Sequence, residues 1–321
     1  MKTLIALILA VAISVAPTVA QETRSVTVAN GVFEIPTAPQ RIVSLNDQIV
    51  TLPLYELGAP VIGSAGRTAE DGTHFLRGGM DTLGIDYSNT DIAYVGGFNQ
   101  LDVEAIAALE PDLIIGGLYT DAKVIEQLQS IAPTLVVDNA DLGFIGTLRT
   151  LADITGQSGR FEARYRRYLD NVERARSFIG NTGDISVATT FMFPAAEELW
   201  VYKANLGAIT RVIDDLGFAK PKAIADLSEP QMTFSPELIQ ELDADFVFGF
   251  YRQQADATPI TVRAAYEKFS PGWCQALAAC RNNQFVLLPG PSFGSSMTSL
   301  ELALELVESH IAGRGFTPLA E

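Results

Sequence analysis

The chain has 321 residues, 48% of them hydrophobic and 19% charged, enough to bury a sizeable core and to form about two domains. Its 38 acidic residues against 22 lysines and arginines give a formal net charge of −16, a surface that repels nucleic acid and anionic membrane and excludes them as general partners. Its two histidines, His74 and His310, exclude a metal site built from three histidines, while carboxylate-rich sites stay open.

Residues 1–20 carry Lys2, then an apolar run from Leu4 to Val15, then Pro17 and small residues up to Ala20. That pattern is a secretory signal peptide with cleavage expected between Ala20 and Gln21, and the apolar core is too short for a membrane anchor. No cysteine lies near the cleavage position, so a lipid anchor is not expected there. The mature protein is expected to be soluble, exported and monomeric, and loss of Lys2 takes its formal charge to −17.

Residues 25–33 read as strand, and residues 41–45, RIVSL, as a buried strand whose carboxyl end is the Asn46-Asp47 loop. A helix over 48–57 ends at Gly58, and residues 60–63 start a second strand. Residues 64–94 are rich in Gly, Asp and Thr with little periodicity, so they read as an irregular insertion that covers something. His74 lies in it and is expected to be exposed.

Residues 101–120, LDVEAIAALEPDLIIGGLYT, recur as FSPELIQELDADFVFGFYRQ at 234–253, a constant offset of 133. Asp102 matches Ser235 as a helix N-cap, Glu104 matches Glu237 in the first turn, Asp112 matches Asp245, and Gly116 matches Gly249. Each copy reads as cap, short helix, tight turn and buried strand, one α/β unit per lobe. Strands at 134–137, 185–193 and 284–288 complete two sheets whose near-continuous apolar strands favour parallel pairing.

Between the two sets lies residues 157–180, with apolar positions at Phe161, Tyr165, Tyr168, Leu169, Val172, Ala175, Phe178 and Ile179. This is helical periodicity over almost five turns. Its six arginines against three acids read as a solvated face with i,i+4 pairs Glu162/Arg166, Arg166/Asp170 and Asp170/Arg174. The expected organisation is therefore an N-terminal lobe at 21–156, a strut helix at 157–180 and a C-terminal lobe at 181–321. His310 falls near the end of the last helix, where it meets the helix dipole.

In open α/β sheets ligands bind beyond the carboxyl ends of the strands. The loops expected to line an interlobe cleft are 46–47, 96–100, 117–121, 194–205, 250–254 and 289–295. The offset puts Tyr119 and Arg252 at equivalent places on opposite walls. Cys274 and Cys280 form an even pair in an exported chain and are expected to be bridged. Six residues of continuous helix rise roughly 9 Å, too far for a disulfide, so the helix is expected to break before Cys280.

The segments PQRIVSL, YELGAPVIG, VEAIAALEPDLIIG, LQSIAPTLVVD and ITRVIDDLGF, in that order over residues 36–312, resemble periplasmic ferric-siderophore binding proteins of ABC importers, the group of the ferrichrome and ferric-enterobactin binders. The resemblance implies an α/β fold of two Rossmann-like lobes with central parallel sheets, joined by a single long α-helix. It implies a ferric siderophore held in the cleft without any cofactor, delivery to an inner-membrane ABC permease, and no catalysis. Phe98 stands where the ferrichrome binder places an arginine, Tyr119 lies near a ligand-binding tyrosine, ELWVYKAN brings Trp200 to a binding loop, and FLRG brings Arg77 into an insertion.

An iron already coordinated by chelator oxygens asks the protein for shape, stacking and positive charge, which arginine forks and aromatic faces supply. The candidate ligand-binding residues are therefore Arg67, Arg77, Phe98, Tyr119, Trp200, Tyr202, Lys203, Tyr251, Arg252 and Phe293. Docking on the permease is implied through one acid per lobe, Glu126 and Asp214, or its neighbour Asp215. A haem or cobalamin binder shares this fold class, and Tyr119 suits haem iron. Gly290 to Gly294 reads GPSFG, a formal nucleophile elbow with Ser292, which keeps a serine hydrolase as the enzyme alternative.

Overall fold

The computed structural model describes residues 22–252, 257–313 and 315–319. The expected signal peptide, and Gln253 and Gln254 of one expected cleft loop, lie outside the described residues.

The N-terminal lobe contains β1 (Thr23–Val28), β2 (Gly31–Pro36), β3 (Ile42–Ser44), β4 (Val61–Thr68), β5 (His74–Phe75), β6 (Ala93–Gly97), β7 (Gln100–Leu101), β8 (Leu113–Gly117) and β9 (Thr134–Val137). Its main sheet runs β7-β6-β4-β3-β8-β9, with β5 on the edge of β4. The central pairs β6-β4, β4-β3, β3-β8 and β8-β9 are parallel. The single strand expected at 25–33 is instead a separate antiparallel hairpin of β1 and β2.

The C-terminal lobe contains β10 (Val187–Phe193), β11 (Glu198–Tyr202), β12 (Gln231–Phe234), β13 (Phe246–Tyr251) and β14 (Phe285–Pro289), in the order β12-β11-β10-β13-β14. Only β10-β13-β14 is parallel; β11 and β12 add an antiparallel flank. Residues 194–205 are thus not a loop but a turn followed by a strand. This sheet is mixed.

The offset repeat has a visible physical basis. The Asp112 carboxylate accepts from the backbone N–H of Gln40 and Arg41 at 2.7 and 2.9 Å, at the amino end of β3. The Asp245 carboxylate does the same for Ser186 N–H at 2.7 Å, just before β10. In each lobe one aspartate at the head of a strand satisfies a neighbouring parallel strand where its ladder starts. Asp102 caps its helix through Ala105 N–H, whereas Ser235 makes no such bond to the backbone of the short 3-10 helix Pro236–Leu242 that follows it.

The strut is the helix Ser158–Ile179. Its buried stripe is narrower than the periodicity suggests: Phe161, Tyr168, Val172 and Ala175 are buried, whereas Leu169 and Phe178 face solvent. That stripe belongs to one apolar cluster containing Leu57, Ile145 and Leu148 on one side and Ile209, Val212 and Leu304 on the other. Each large side chain buried this way contributes about 1.5–3 kcal/mol.

The arginine face is not merely solvated. Arg160 donates to the Leu57 carbonyl at 2.8 Å, Arg164 to Glu56 at 3.0 Å and Glu301 at 2.8 Å, and Glu162 pairs with Arg149. Among the described residues the i,i+4 pairs expected along the helix make no salt bridge, and Arg166 Nε donates to the Glu162 backbone carbonyl at 3.4 Å. Gly58 has φ 76°, a conformation that strains a residue with a side chain, and a Cβ there would displace the Arg160 guanidinium 2.0 Å away.

Cys274 and Cys280 are bridged with Cα atoms 5.0 Å apart. The approach is possible because helices Trp273–Ala276 and Ala278–Arg281 are separated by extended Leu277 (φ −96°, ψ 122°). Denatured, unreduced protein is expected to give no reaction in a thiol titration. Replacing both cysteines by serine is expected to cost about 2 kcal/mol in chemical denaturation, the entropy of so short a loop.

Candidate functional site

On the N-terminal wall the site starts at the carboxyl end of β3. The Asn46 side chain accepts from Ile49 N–H at 2.9 Å and starts a helical turn, which buries the Asp47 carboxylate at 2% exposure. Asp47 then anchors Arg77: it accepts from Arg77 backbone N–H at 3.0 Å, from Nε at 3.0 Å and from Nη2 at 2.6 Å. The insertion at 64–94 is therefore ordered around a buried charge. It carries Leu76, Ile85 and Ile92 into the core and extends β4 to Thr68. Arg67, on that extension, lies 4.8 Å above the centre of the Phe98 ring.

The C-terminal wall is built on the ends of β10, β13 and β14. Arg252 follows β13, and its guanidinium sits 4.9 Å from the ring centres of both Phe191 and Phe293. Phe250 supports Phe293 at 4.3 Å. Among the described residues neither Arg67 nor Arg252 has a carboxylate partner.

Burial lowers the pKa of Arg252 from its ordinary value, and the positive charge of Arg77 lowers it further. Burial and Arg77 act on Arg67 in the same direction, with Asp47 opposing. The field of Arg77, held on one lobe, thus reaches an arginine of the other. Arg77 thus lies within electrostatic reach of both Arg67 and Arg252, a basic group inside an acidic protein.

Next to this cluster lies a cavity of about 670 Å3 lined from both lobes by Ile49, Tyr119, Asn139, Trp200, Asn205 and Gln231, among others. A small recess of about 10 Å3 shares Ile49, Tyr119 and Asn139 with it and reaches Phe98. The recess therefore connects the cavity to Phe98 and so to Arg67, which stacks on that ring, while the arginines themselves lie outside the cavity lining. That volume is in the range of small-molecule sites.

Of the residues singled out from sequence, Arg67, Arg77, Phe98, Arg252 and Phe293 converge at the basic end, while Tyr119, 69% exposed, and Trp200 face the cavity. Two do not join them as expected, and a third meets them from the core side. Tyr202 is buried in β11 in the same apolar cluster as Phe191 and Phe293, and burial raises its hydroxyl pKa to about 12 against the opposing pull of Arg252. Lys203 donates to the Leu227 carbonyl at 2.8 Å, and Tyr251 packs against the core cluster on the other face of the sheet. Asp47 and Phe191 are the contributors not singled out: the first was visible only as a loop residue and the second as one apolar residue of a strand.

Ser292 is fully buried, and its hydroxyl donates to the Pro289 carbonyl at 2.7 Å, so it is not presented as a nucleophile. His74 is exposed and stacks on Tyr94 with ring centres 3.7 Å apart. Among the described residues no cluster of acids, histidines and cysteines is placed to hold a metal ion, and no helix is long and apolar enough to cross a membrane. Glu126 is exposed, and Asp214 is exposed and paired with Lys220. Asp215 instead takes Arg211 and the Tyr168 hydroxyl in a half-buried network.

Two α/β lobes on one strut, with binding groups contributed from both sides of a cleft, define a two-lobed solute-binding protein. The chain belongs to the periplasmic binding protein family, whose profile matches residues 80–291. It is 28% identical over 239 residues to the probable siderophore-binding lipoprotein YfiY of Bacillus subtilis, covering 71% of this chain and 69% of that one. It is 27% identical over 254 residues to the ferric enterobactin-binding periplasmic protein FepB of Escherichia coli, covering 74% and 77%. Among solved structures it resembles the siderophore periplasmic binding protein from the fuscachelin gene cluster of Thermobifida fusca, with a TM-score of 0.66, 27% identity and coverage of 87% and 99%. SirA of Staphylococcus aureus, complexed with staphyloferrin B, shares the fold with a TM-score of 0.72 at 23% identity, covering 89% and 98%.

Proposed function

We propose that this protein captures a ferric siderophore in its interlobe cleft outside the cytoplasm and delivers it to an inner-membrane ABC permease. The observation that carries the reading is a ligand-sized cavity lined from both lobes, with Arg67 stacked on the Phe98 of its recess and Arg252 held between two rings at the end of β13. The similarity to YfiY, a probable siderophore-binding lipoprotein, and to FepB, a ferric enterobactin-binding protein, supports it. An iron enclosed by chelator oxygens needs charge, shape and aromatic surface from the protein, which is what the cleft offers. The protein performs no covalent step.

Glu126 on the N-terminal lobe and Asp214 on the C-terminal lobe are the proposed contacts for permease arginines. A haem or cobalamin ligand is the weaker reading, because the relatives point to siderophores and Tyr119 stands exposed rather than enclosed.

The chain has two tryptophans. Trp200 borders the cavity, whereas Trp273 is buried among Tyr266 and Phe285 in the C-terminal core. Titration of ligand-free protein with a panel of ferric siderophores is expected to quench the Trp200 emission saturably, and Trp200→Phe is expected to remove most of that change. Absence of quenching across the panel would overturn the reading. A Soret band on haem addition would replace it with haem uptake.

A further inference from the structure

The charge count of the cleft says more than that an iron chelate binds. Arg77 is matched by the buried Asp47, whereas Arg67, stacked on the Phe98 that borders the recess, and Arg252, at the end of β13, make no salt bridge among the described residues. Each lies against aromatic rings, Arg67 on Phe98 and Arg252 between Phe191 and Phe293. These rings hold the guanidiniums in place without neutralising them. Both arginines are only partly buried, so solvent water reaches their charges, Arg252 less than Arg67. A ligand that seats on them expels that water and lowers the local dielectric.

The sign of the outcome then depends on the ligand's own charge. A ferric ion in three hydroxamates is neutral, and in a linear trihydroxamate with a free amine it is cationic. Either complex covers two guanidiniums and returns no counter-charge, leaving both desolvated and unpaired. Three dianionic catecholates make a trianion, and α-hydroxycarboxylate complexes are also anionic. Their outward oxygens are acceptors for both arginine forks.

We propose that the cleft is built for a net-anionic, all-oxygen ferric chelate, of the catecholate or hydroxycarboxylate kind, and discriminates against neutral and cationic hydroxamate complexes. This rests on the proposed siderophore function. The adjoining cavity, with Tyr119, Asn139, Trp200 and Asn205 on its walls, takes the organic scaffold of the same ligand.

The test is a titration of ligand-free protein, followed by tryptophan emission, with four probes: a ferric tris-catecholate, a ferric citrate complex, a neutral ferric trihydroxamate and a cationic linear one. At least one anionic complex is expected to bind about 100-fold more tightly than both hydroxamates, the ratio reached when desolvated charges find or lack partners. Its affinity is expected to fall between about 50 mM and about 500 mM salt, as a charge-driven contact requires. The paired variant Arg67→Gln with Arg252→Gln is expected to lose most of that preference, with hydroxamate binding left within a few fold. If the variant does not fold, the wild-type ranking and its salt slope still decide.

A hydroxamate bound as tightly as the anionic complexes would sink this inference and leave the siderophore function standing. Failure of all four probes to bind would sink both. Which anionic probe wins separates catecholate from hydroxycarboxylate.

Discussion

Glu56→Ala is expected to destabilise the protein by about 3–5 kcal/mol, the cost of leaving a buried ion pair without one partner. Glu56 closes the short helix Leu52–Glu56 of the N-terminal lobe, and its carboxylate is 3% exposed. It accepts from Arg164 Nη1 of the strut at 3.0 Å, and from the backbone N–H groups of Met297 and Thr298 at 2.5 and 3.0 Å. Those last two open the helix Met297–Ile311 of the C-terminal lobe. One carboxylate therefore caps a helix of the opposite lobe while pinning the strut, satisfying orphan donors at a positive helix end.

Glu301, one turn further along that helix, completes the junction. Burial pushes its pKa up, but hydrogen bonds and charge from Arg164 and then Arg167 outweigh this and hold it below its ordinary value. A carboxylate depressed in the folded state adds stability above its unfolded pKa and loses it as pH falls through the folded one. The junction is therefore expected to weaken in acid, below the ordinary glutamate range, and to be intact at neutral pH. Chemical denaturation of Glu56→Ala and Glu56→Gln at neutral pH measures the main prediction. Gln, which keeps one acceptor oxygen for the helix amides, is expected to lose less than Ala. Small-angle scattering adds a mechanical readout. In the wild type, ligand is expected to change the radius of gyration very little, because strut and junction together fix the interlobe angle. A large closure in the wild type would contradict that.

The sequence pattern reached the architecture where the physical demand was local or repeated. The offset of 133 residues was legible because Asp112 and Asp245 do the same work in two lobes, and the strut because its apolar period runs unbroken. Strand β11 was not legible. The turn between β10 and β11 is Pro-Ala-Ala-Glu, with Glu197 forced to φ 54° in a position where glycine or asparagine usually advertises a hairpin. Without that signal ELWVY reads as loop, although it is a strand whose Tyr202 lies buried in the core beside Phe191 and Phe293.

The partners of the strut's arginines are hidden in the sequence for a different reason. Arg164 finds Glu56 and Glu301 more than a hundred positions away in either direction, and no local spacing encodes such partners. The site shows the same division. The cleft loops name Phe98 and Arg252, and the insertion names Arg67 and Arg77, one by one, but the buried Asp47 that orders Arg77 and the Phe191 face that holds Arg252 are products of tertiary packing.

Arg252→Ala is expected to weaken ferric-siderophore binding by about 100-fold, or roughly 2–3 kcal/mol, the usual cost of truncating a desolvated hydrogen-bonded charge. Arg252→Lys separates the parts of that loss. Lysine keeps the charge but has neither the planar fork for paired oxygens nor the flat face that lies between two rings. With Phe191 and Phe293 each 4.9 Å from the guanidinium, the aromatic clamp also limits the side chain's freedom before ligand arrives, so less entropy is lost on binding. The lysine variant is therefore expected to fall about 10-fold, between wild type and alanine. Tryptophan titration of the three proteins with the same ferric complex measures the series, and a denaturation curve for each separates binding from folding. If lysine bound as tightly as arginine, the site would be using charge alone. The Phe191–Arg252–Phe293 stack would then be core packing with no part in recognition.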